Sequence, residues 1–132
     1  MLKRYPPDDP REWLNRARSN LAMAQVQSED VYLEDLCFHA QQAVEHAIKA
    51  LLIKHKVEYP YIHDIARLLT LLEDAGQEIP DSVRAAERLT IYAVITRYPG
   101  VAPPVKLEEY HQAIATAKRV LCWVDQHISA EG

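Results

Sequence analysis

The chain has 132 residues, 48% of them hydrophobic and 26% charged, which is the size and composition of one globular domain over residues 1–132. Its formal net charge of -4 argues against a broad polyanion-binding surface, although a local basic pocket would not show in that total. No segment has the apolar character of a signal peptide or a membrane span, so we expect a cytoplasmic protein with no membrane partner.

Apolar residues spaced three and four apart predict five helices. The first begins at Asp9-Pro10, because Asp is a good cap, Pro suits the first helical position, and Glu12 is placed to complete a capping box. The predicted helices run from about Pro10 to Gln27, from 31 to Lys56, from Ile65 to about Gly76, from Ser82 to Arg97, and from Leu107 to Ile128.

The composition of the connections fits an all-α protein. The chain has three glycines, and its eight prolines cluster between the predicted helices. We therefore predict an up-and-down helical bundle of four long helices plus one shorter helix.

Cys37 and Cys122 both fall inside helical patterns, which predicts two buried free thiols rather than a disulfide.

The second helix carries a polar face opposite its apolar stripe. At about 100° per residue, Phe38, Gln42, Glu45 and Lys49 project within roughly 60° of one another. One interpretation is a solvated outer face, where a Glu45–Lys49 pair contributes only about 0.2 to 0.5 kcal/mol. Against it, Phe38 and Ile53 on the same side indicate a helix partly covered on both sides, by other helices or by a second subunit, where polar groups need partners or ligands.

The end of the fourth helix also has two interpretations. Arg88, Tyr92 and Thr96 recur four residues apart, and Arg97 and Tyr98 follow before a Pro-Gly pair stops the helix. In the structural interpretation, Arg97 neutralises the helix C-terminus and Tyr98 packs under the loop. In the functional one, the Arg97 guanidinium binds phosphate or carboxylate while a tyrosine stacks on a base.

Three runs together resemble the HEPN domain family, whose name refers to nucleotide binding in higher eukaryotes and prokaryotes. They are HAQQAVEHAIKALLIKH in the second helix, HDIARLL at the start of the third and AAERLTIYAVITRYPG at the end of the fourth. The resemblance covers about Pro10 to Ile128. It implies a helical bundle that forms a homodimer and accompanies a minimal nucleotidyltransferase in two-component systems, including toxin–antitoxin pairs.

Some members of that family are metal-independent ribonucleases, marked by an arginine followed by a histidine after four to six intervening residues. This chain departs from that motif. Arg119 and His127 have seven residues between them, and Arg97 meets no histidine before His111. The departure argues against ribonuclease activity, because the histidine that would help activate a ribose hydroxyl is missing from its expected place.

The resemblance implies a ligand site built from three helices. In such a pocket Arg97 and Lys49 would neutralise phosphate, a tyrosine would contact a base, and Glu45 would orient the cation or a sugar hydroxyl. His63 and Arg97 are the catalytic candidates, with His63 transferring a proton. The ligand-binding residues it implies are Gln42, Glu45, Lys49, His63, Asp64, Tyr92, Arg97 and Tyr98. Both residues also have a simpler, structural interpretation. His63 would hydrogen-bond to the backbone at the start of the third helix, and the negative charge of Asp64 would interact favourably with the positive end of that helix.

We expect no metal or other cofactor, because the only close histidine pair on one helix, His39 and His46, lies two turns apart. The sequence thus favours a nucleotide- or RNA-binding module that partners a minimal nucleotidyltransferase. A ribonuclease using Arg97 with His63 or His111 is the first alternative. A structural adaptor, in which the RYPG segment only ends a helix, is the second.

Overall fold

The structure, a computed structural model, describes residues 1–94 and 98–129, and every regular element in those ranges is a helix. This confirms the all-α prediction. Within the same ranges, no helix is both long enough and apolar enough to cross a membrane. In chain order the elements are α1 (Pro10–Ala24), α2 (Leu33–Lys54), α3 (Ile65–Asp74), α4 (Asp81–Arg84), a 3-10 helix (Ala85–Thr90), α5 (Ile91–Val94) and α6 (Leu107–Ser129).

Helix α2 lies at the centre of the bundle. It packs most extensively against α1 and α6, and it also contacts α3, the 3-10 helix and α5. Its residues Ile48, Leu51 and Leu52 are among the largest fully buried side chains of the protein. Because neighbours surround α2, its polar face has to be accommodated inside the bundle rather than in solvent.

The start of α1 holds the N-terminal arm, residues 1–9, against the bundle. Asp9 caps the helix by accepting a hydrogen bond from the Arg11 backbone N–H at 2.9 Å. The predicted capping box does not form, because the buried Glu12 carboxylate is engaged elsewhere. It accepts hydrogen bonds from the Tyr5 backbone N–H at 2.9 Å and from Arg16 Nε at 3.0 Å.

Helix ends fall within a few residues of their predicted places, and local chemistry explains where they stop. α1 ends at Ala24, whose carbonyl accepts a hydrogen bond from the Tyr110 hydroxyl at 2.6 Å. α2 ends shortly before Lys56, which has a left-handed φ of 58°. α3 ends just before Gly76, whose φ of 98° suits glycine.

The predicted fourth helix is helical without interruption over 81–94, but its middle is wound as a 3-10 helix. Four buried side chains of this stretch recur every three residues, at Val83, Ala86, Leu89 and Tyr92, and Ala93 is buried beside the last of them. Three residues per turn is the 3-10 repeat, so the tighter winding aligns these side chains on one inward line. The predicted end at Arg97 lies outside the described residues.

The two cysteines differ in environment. Cys37 is buried in α2, and burial raises the pKa of its thiol to about 12. Cys122 is exposed, so the prediction that it is buried was wrong. It follows the buried Leu121 on α6, and a step of about 100° around the helix turns it away from the core.

Candidate functional site

A buried carboxylate on α2, that of Glu45, is the centre of a polar cluster formed by Gln41, Gln42, Glu45, Lys49 and His63. The Glu45 side chain is 2% exposed and that of Lys49 7% exposed. The interpretation of this face as a solvated outer surface was therefore wrong. Glu45 and Lys49 form a buried ion pair inside the bundle, and the expectation of a helix covered on both sides is confirmed.

Four donors converge on the Glu45 carboxylate. Lys49 Nζ donates to Oε1 at 2.8 Å. Gln41 Nε2 and Gln42 Nε2 donate to Oε2 at 2.8 and 3.2 Å, and His63 Nδ1 lies 3.1 Å from the same oxygen. Both carboxylate oxygens are therefore occupied, and Glu45 acts on the positions of Lys49 and His63 instead of offering itself to a ligand.

Opposing influences set the ionisation of Glu45. Burial works to raise its pKa, because a charged group is poorly solvated inside the protein. Hydrogen bonds from Lys49, His63 and Gln41 outweigh that penalty and hold the pKa of Glu45 below its ordinary value. The carboxylate is consequently ionised at neutral pH.

The other side of the polar cluster is aromatic. The Lys49 ammonium lies 5.4 Å from the centre of the Tyr59 ring, close enough for a cation–π contact. Tyr59 meets Trp13 of α1 edge to face, with ring centres 6.5 Å apart. Trp13 also contacts His46, at 5.7 Å between ring centres. The charge of Lys49 is therefore directed to Glu45 and an aromatic wall, away from solvent.

His63 is the accessible member of the polar cluster, since 58% of its side chain is exposed. Glu45 is ionised and can only accept, so Nδ1 of His63 carries the hydrogen that joins the two residues. On the neutral ring, Nε2 is then an acceptor, and it has no hydrogen-bond partner among the described residues. The simpler interpretation, a hydrogen bond from His63 to the helix backbone, was therefore wrong, because the partner of His63 is the Glu45 carboxylate.

Asp64 and the start of α3 anchor the chain immediately after His63. Asp64 is the N-cap of α3, and its side chain lies 3.4 Å from the Arg67 backbone N–H. The Ile65 backbone N–H donates to the Thr90 hydroxyl at 3.1 Å, which joins this end of α3 to the end of the 3-10 helix. The structural role expected of Asp64 at the helix terminus is thus present.

Two of the remaining expected ligand residues, Tyr92 and Tyr98, line grooves that contain no member of the polar cluster. Tyr92 is largely buried, burial raises its pKa to about 12, and it lines a groove beside α6. Tyr98 is exposed and lines a different groove with Pro103 and Val31, so it does not pack under the loop. Arg97 lies outside the described residues. His111 is exposed on α6.

Sequence reasoning missed two members of this region, Gln41 and Tyr59. Gln41 was detectable, because it lies four residues before Glu45 and therefore on the same face of the helix. Tyr59 belongs to the turn-like VEYPYIHD segment, and no helical period connects that segment to α2. Within residues 1–94 and 98–129, no group of three or more His, Cys, Asp or Glu side chains is arranged to hold a metal ion.

Comparison with known proteins agrees with this architecture. The HEPN domain family matches residues 10–127. The crystal structure of ST0689, described as an archaeal HEPN homologue, superposes with a TM-score of 0.72 at 28% sequence identity. That match covers 91% of this chain and 98% of the archaeal one. No functionally curated protein matches significantly.

Proposed function

This chain belongs to the HEPN domain family, and we propose that it is a nucleotide- or RNA-binding module, the non-transferase partner of a minimal nucleotidyltransferase. The pair would form a cytoplasmic two-component system of the toxin–antitoxin kind, with this chain as a homodimer. The mass of the purified protein tests the last point, since a homodimer has twice the 15.1 kDa of one chain.

One observation carries the binding proposal, namely the exposed His63 held by the buried Glu45. A surface histidine without such a partner samples several rotamers, whereas this ring is fixed at Nδ1. Its Nε2 accepts a hydrogen bond from a ribose hydroxyl or base amino group when neutral, and donates to a phosphate oxygen when protonated. A fixed polar atom costs less entropy to engage than a mobile one, which favours a ligand at this place.

Fluorescence anisotropy with labelled single-stranded RNA, and competition by adenine nucleotides, tests the proposal. We expect His63→Ala to weaken binding by about 10-fold, as for the loss of one hydrogen bond to a charged group. His55→Ala is the matched control, since His55 is an exposed histidine that follows the last residue of α2. Equal affinity of His63→Ala and the wild-type protein would reject His63 as a ligand residue.

A second function is favoured by the same pair of residues. A carboxylate that orients an imidazole is the arrangement with which proteins build a general base, so metal-independent ribonuclease activity is the rival proposal. RNA cleavage in the presence of a chelator, compared among wild type, His63→Ala and Arg97→Ala, separates the two. Cleavage that is lost in both variants establishes the ribonuclease. Folded protein that binds RNA without cleaving it favours the binding module.

A structural adaptor makes different predictions for Arg97. If the RYPG segment only ends a helix, Arg97→Ala lowers the melting temperature and leaves ligand affinity unchanged. If Arg97 contacts a ligand, the same substitution weakens binding while the melting temperature stays nearly constant. Thermal denaturation and anisotropy on one preparation therefore decide between the two roles.

A further inference from the structure

A groove of about 410 Å³ runs between the 3-10 helix and α6, and none of its lining residues belongs to the polar cluster. We call it the α6 groove. Arg88 and Tyr92 line one side, and Gln112, Thr116 and Arg119 line the other. On α6 these positions are three or four residues apart, so they project from one face of that helix.

Two arginines without an ion pair in the described ranges line opposite sides of the α6 groove, whereas Arg67, which is also exposed and without an ion pair there, lies outside it. Arg84, one turn before Arg88, is paired with Glu73 at 3.0 Å, and Arg18 is paired with Asp125 at 2.9 Å. Arg88 and Arg119 are exposed and make no ion pair with any residue in the described ranges. In a protein of net charge -4, two free guanidinium groups on one concavity make a local anion site.

The other polar groups of the α6 groove are two neutral donors, which suit an anion, and one carboxylate, which opposes it. Its one acid, Glu109, accepts a hydrogen bond from the Lys106 backbone N–H at 3.2 Å at the start of α6. Gln112 and Thr116 add an amide and a hydroxyl that can donate. Guanidinium forks with neutral donors between them are suited to phosphate oxygens, which accept several hydrogen bonds at once.

The α6 groove is longer than a single phosphate group requires. It shares Tyr92 and Glu109 with a neighbouring groove of about 310 Å³, which is lined further along by Ile91, Pro103 and Lys106. From Lys106 to Arg119 the surface follows α6 for about 20 Å, at about 1.5 Å per residue. Lys106 lies toward one end and Arg88 and Arg119 toward the other, with Glu109 and a mixture of polar and apolar side chains between them. A surface of this length fits a strand of several nucleotides better than a mononucleotide.

We propose that the α6 groove binds the phosphodiester backbone of single-stranded RNA, with Arg88 and Arg119 contacting phosphates. The proposal rests on RNA binding as the proposed function, and it assigns the backbone to a surface distinct from His63. Apolar side chains such as Ile91 and Pro103 lie where bases of a bound strand would pass, and they impose no sequence preference.

The test measures anisotropy of a fluorescein-labelled mixed-sequence RNA of about 12 nucleotides over a range of salt concentrations. Arg88→Ala with Arg119→Ala should weaken binding about 10-fold or more, and lower the slope of log affinity against log salt by about 1.4, or about 0.7 for each lost phosphate contact. Lys118→Ala is the matched control, because Lys118 is an exposed cation of α6 outside the groove lining. Crosslinking of 4-thiouridine RNA should mark the 3-10 helix or α6.

Each result has a distinct meaning. Loss of affinity in the double variant, with Lys118→Ala unchanged, supports the proposal. A loss in Lys118→Ala that is about half of the loss in the double variant on a logarithmic scale overturns it, because each removed charge then has the same effect wherever it lies. An unchanged double variant beside a weakened His63→Ala overturns the α6 groove and leaves the proposed function standing. If the wild-type protein binds adenine nucleotides but no RNA, the α6 groove proposal is rejected and the proposed function stands. If it binds neither, both proposals are rejected.

Discussion

Replacing Lys49 by Met tests whether the Glu45–Lys49 pair is as deeply buried as the structure shows. The substitution keeps the length and apolar stem of the side chain and removes only the ammonium. Glu45 then remains 2% exposed, with its strongest partner gone. The matched control is Arg18→Met, because the Arg18–Asp125 pair is 46% and 49% exposed.

The two pairs should differ several-fold in the free energy of unfolding. Removing one member of a buried ion pair leaves an uncompensated charge and costs about 3 to 5 kcal/mol. Exposed pairs contribute about 0 to 1 kcal/mol. Since small domains have total stabilities of about 5 to 15 kcal/mol, Lys49→Met should remove a large share of it, while Arg18→Met should be nearly silent.

The cost of Lys49→Met should also depend on pH. In the wild-type protein the pKa of Glu45 is lowered, so the stability that its ionised form contributes is present above about pH 4.5 and lost as pH falls through the folded value. Without Lys49, burial dominates and the pKa rises above the unfolded value, so the variant loses stability as pH increases. The difference between the two proteins should therefore be small near pH 4 and grow toward pH 7.

Urea denaturation followed by circular dichroism measures the free energy of unfolding, and repeating it at several pH values gives the pH dependence. A double variant, Glu45→Gln with Lys49→Met, should regain at least half of the lost stability, because no buried charge is left unpaired. A cost for Lys49→Met below about 1 kcal/mol, equal to that of Arg18→Met, would refute the buried pair. So would a cost that stays constant between about pH 4 and pH 7.

Three further outcomes follow from contacts elsewhere in the fold. Tyr110→Phe should lower the free energy of unfolding by about 1 to 3 kcal/mol in urea, because it leaves the buried Ala24 carbonyl without its donor. Gly76→Ala should cost about 1 to 2 kcal/mol in the same assay, since a φ of 98° strains a residue with a Cβ. A thiol reagent near pH 8 should label Cys122 in the folded protein and Cys37 only after unfolding, because burial raises the pKa of Cys37 to about 12.

Periodicity was sufficient to predict the helices because the apolar spacing records which face is buried. The helical bundle and the approximate ends of α2 and α6 follow from that pattern. The 3-10 winding of Ala85–Thr90 was missed, although Val83, Ala86 and Leu89 already recur at intervals of three. A spacing of three is compatible with both helix types over a short stretch, so the sequence alone does not decide between them.

The candidate site shows where sequence patterns stop being informative. Glu45 and Lys49 lie four residues apart, and that spacing brings two side chains together on a helix whether the face is exposed or buried. What decides is the packing of other elements around α2, which depends on contacts distant in sequence. The contact between His63 and Glu45 joins positions 18 residues apart, across the connection from α2 to α3. No helical period encodes that distance.

Trp13 connects two parts of the molecule that have been described separately. Its indole N–H donates to the Pro7 carbonyl in the N-terminal arm at 2.7 Å, while its ring meets Tyr59, which in turn covers Lys49. The chain has two tryptophans, so Trp123→Phe would leave Trp13 as the sole indole fluorophore. Its emission would then respond both to release of the arm and to any ligand that displaces Tyr59. The domain thus contains its own optical reporter beside the polar cluster, and occupancy there becomes readable without an attached dye.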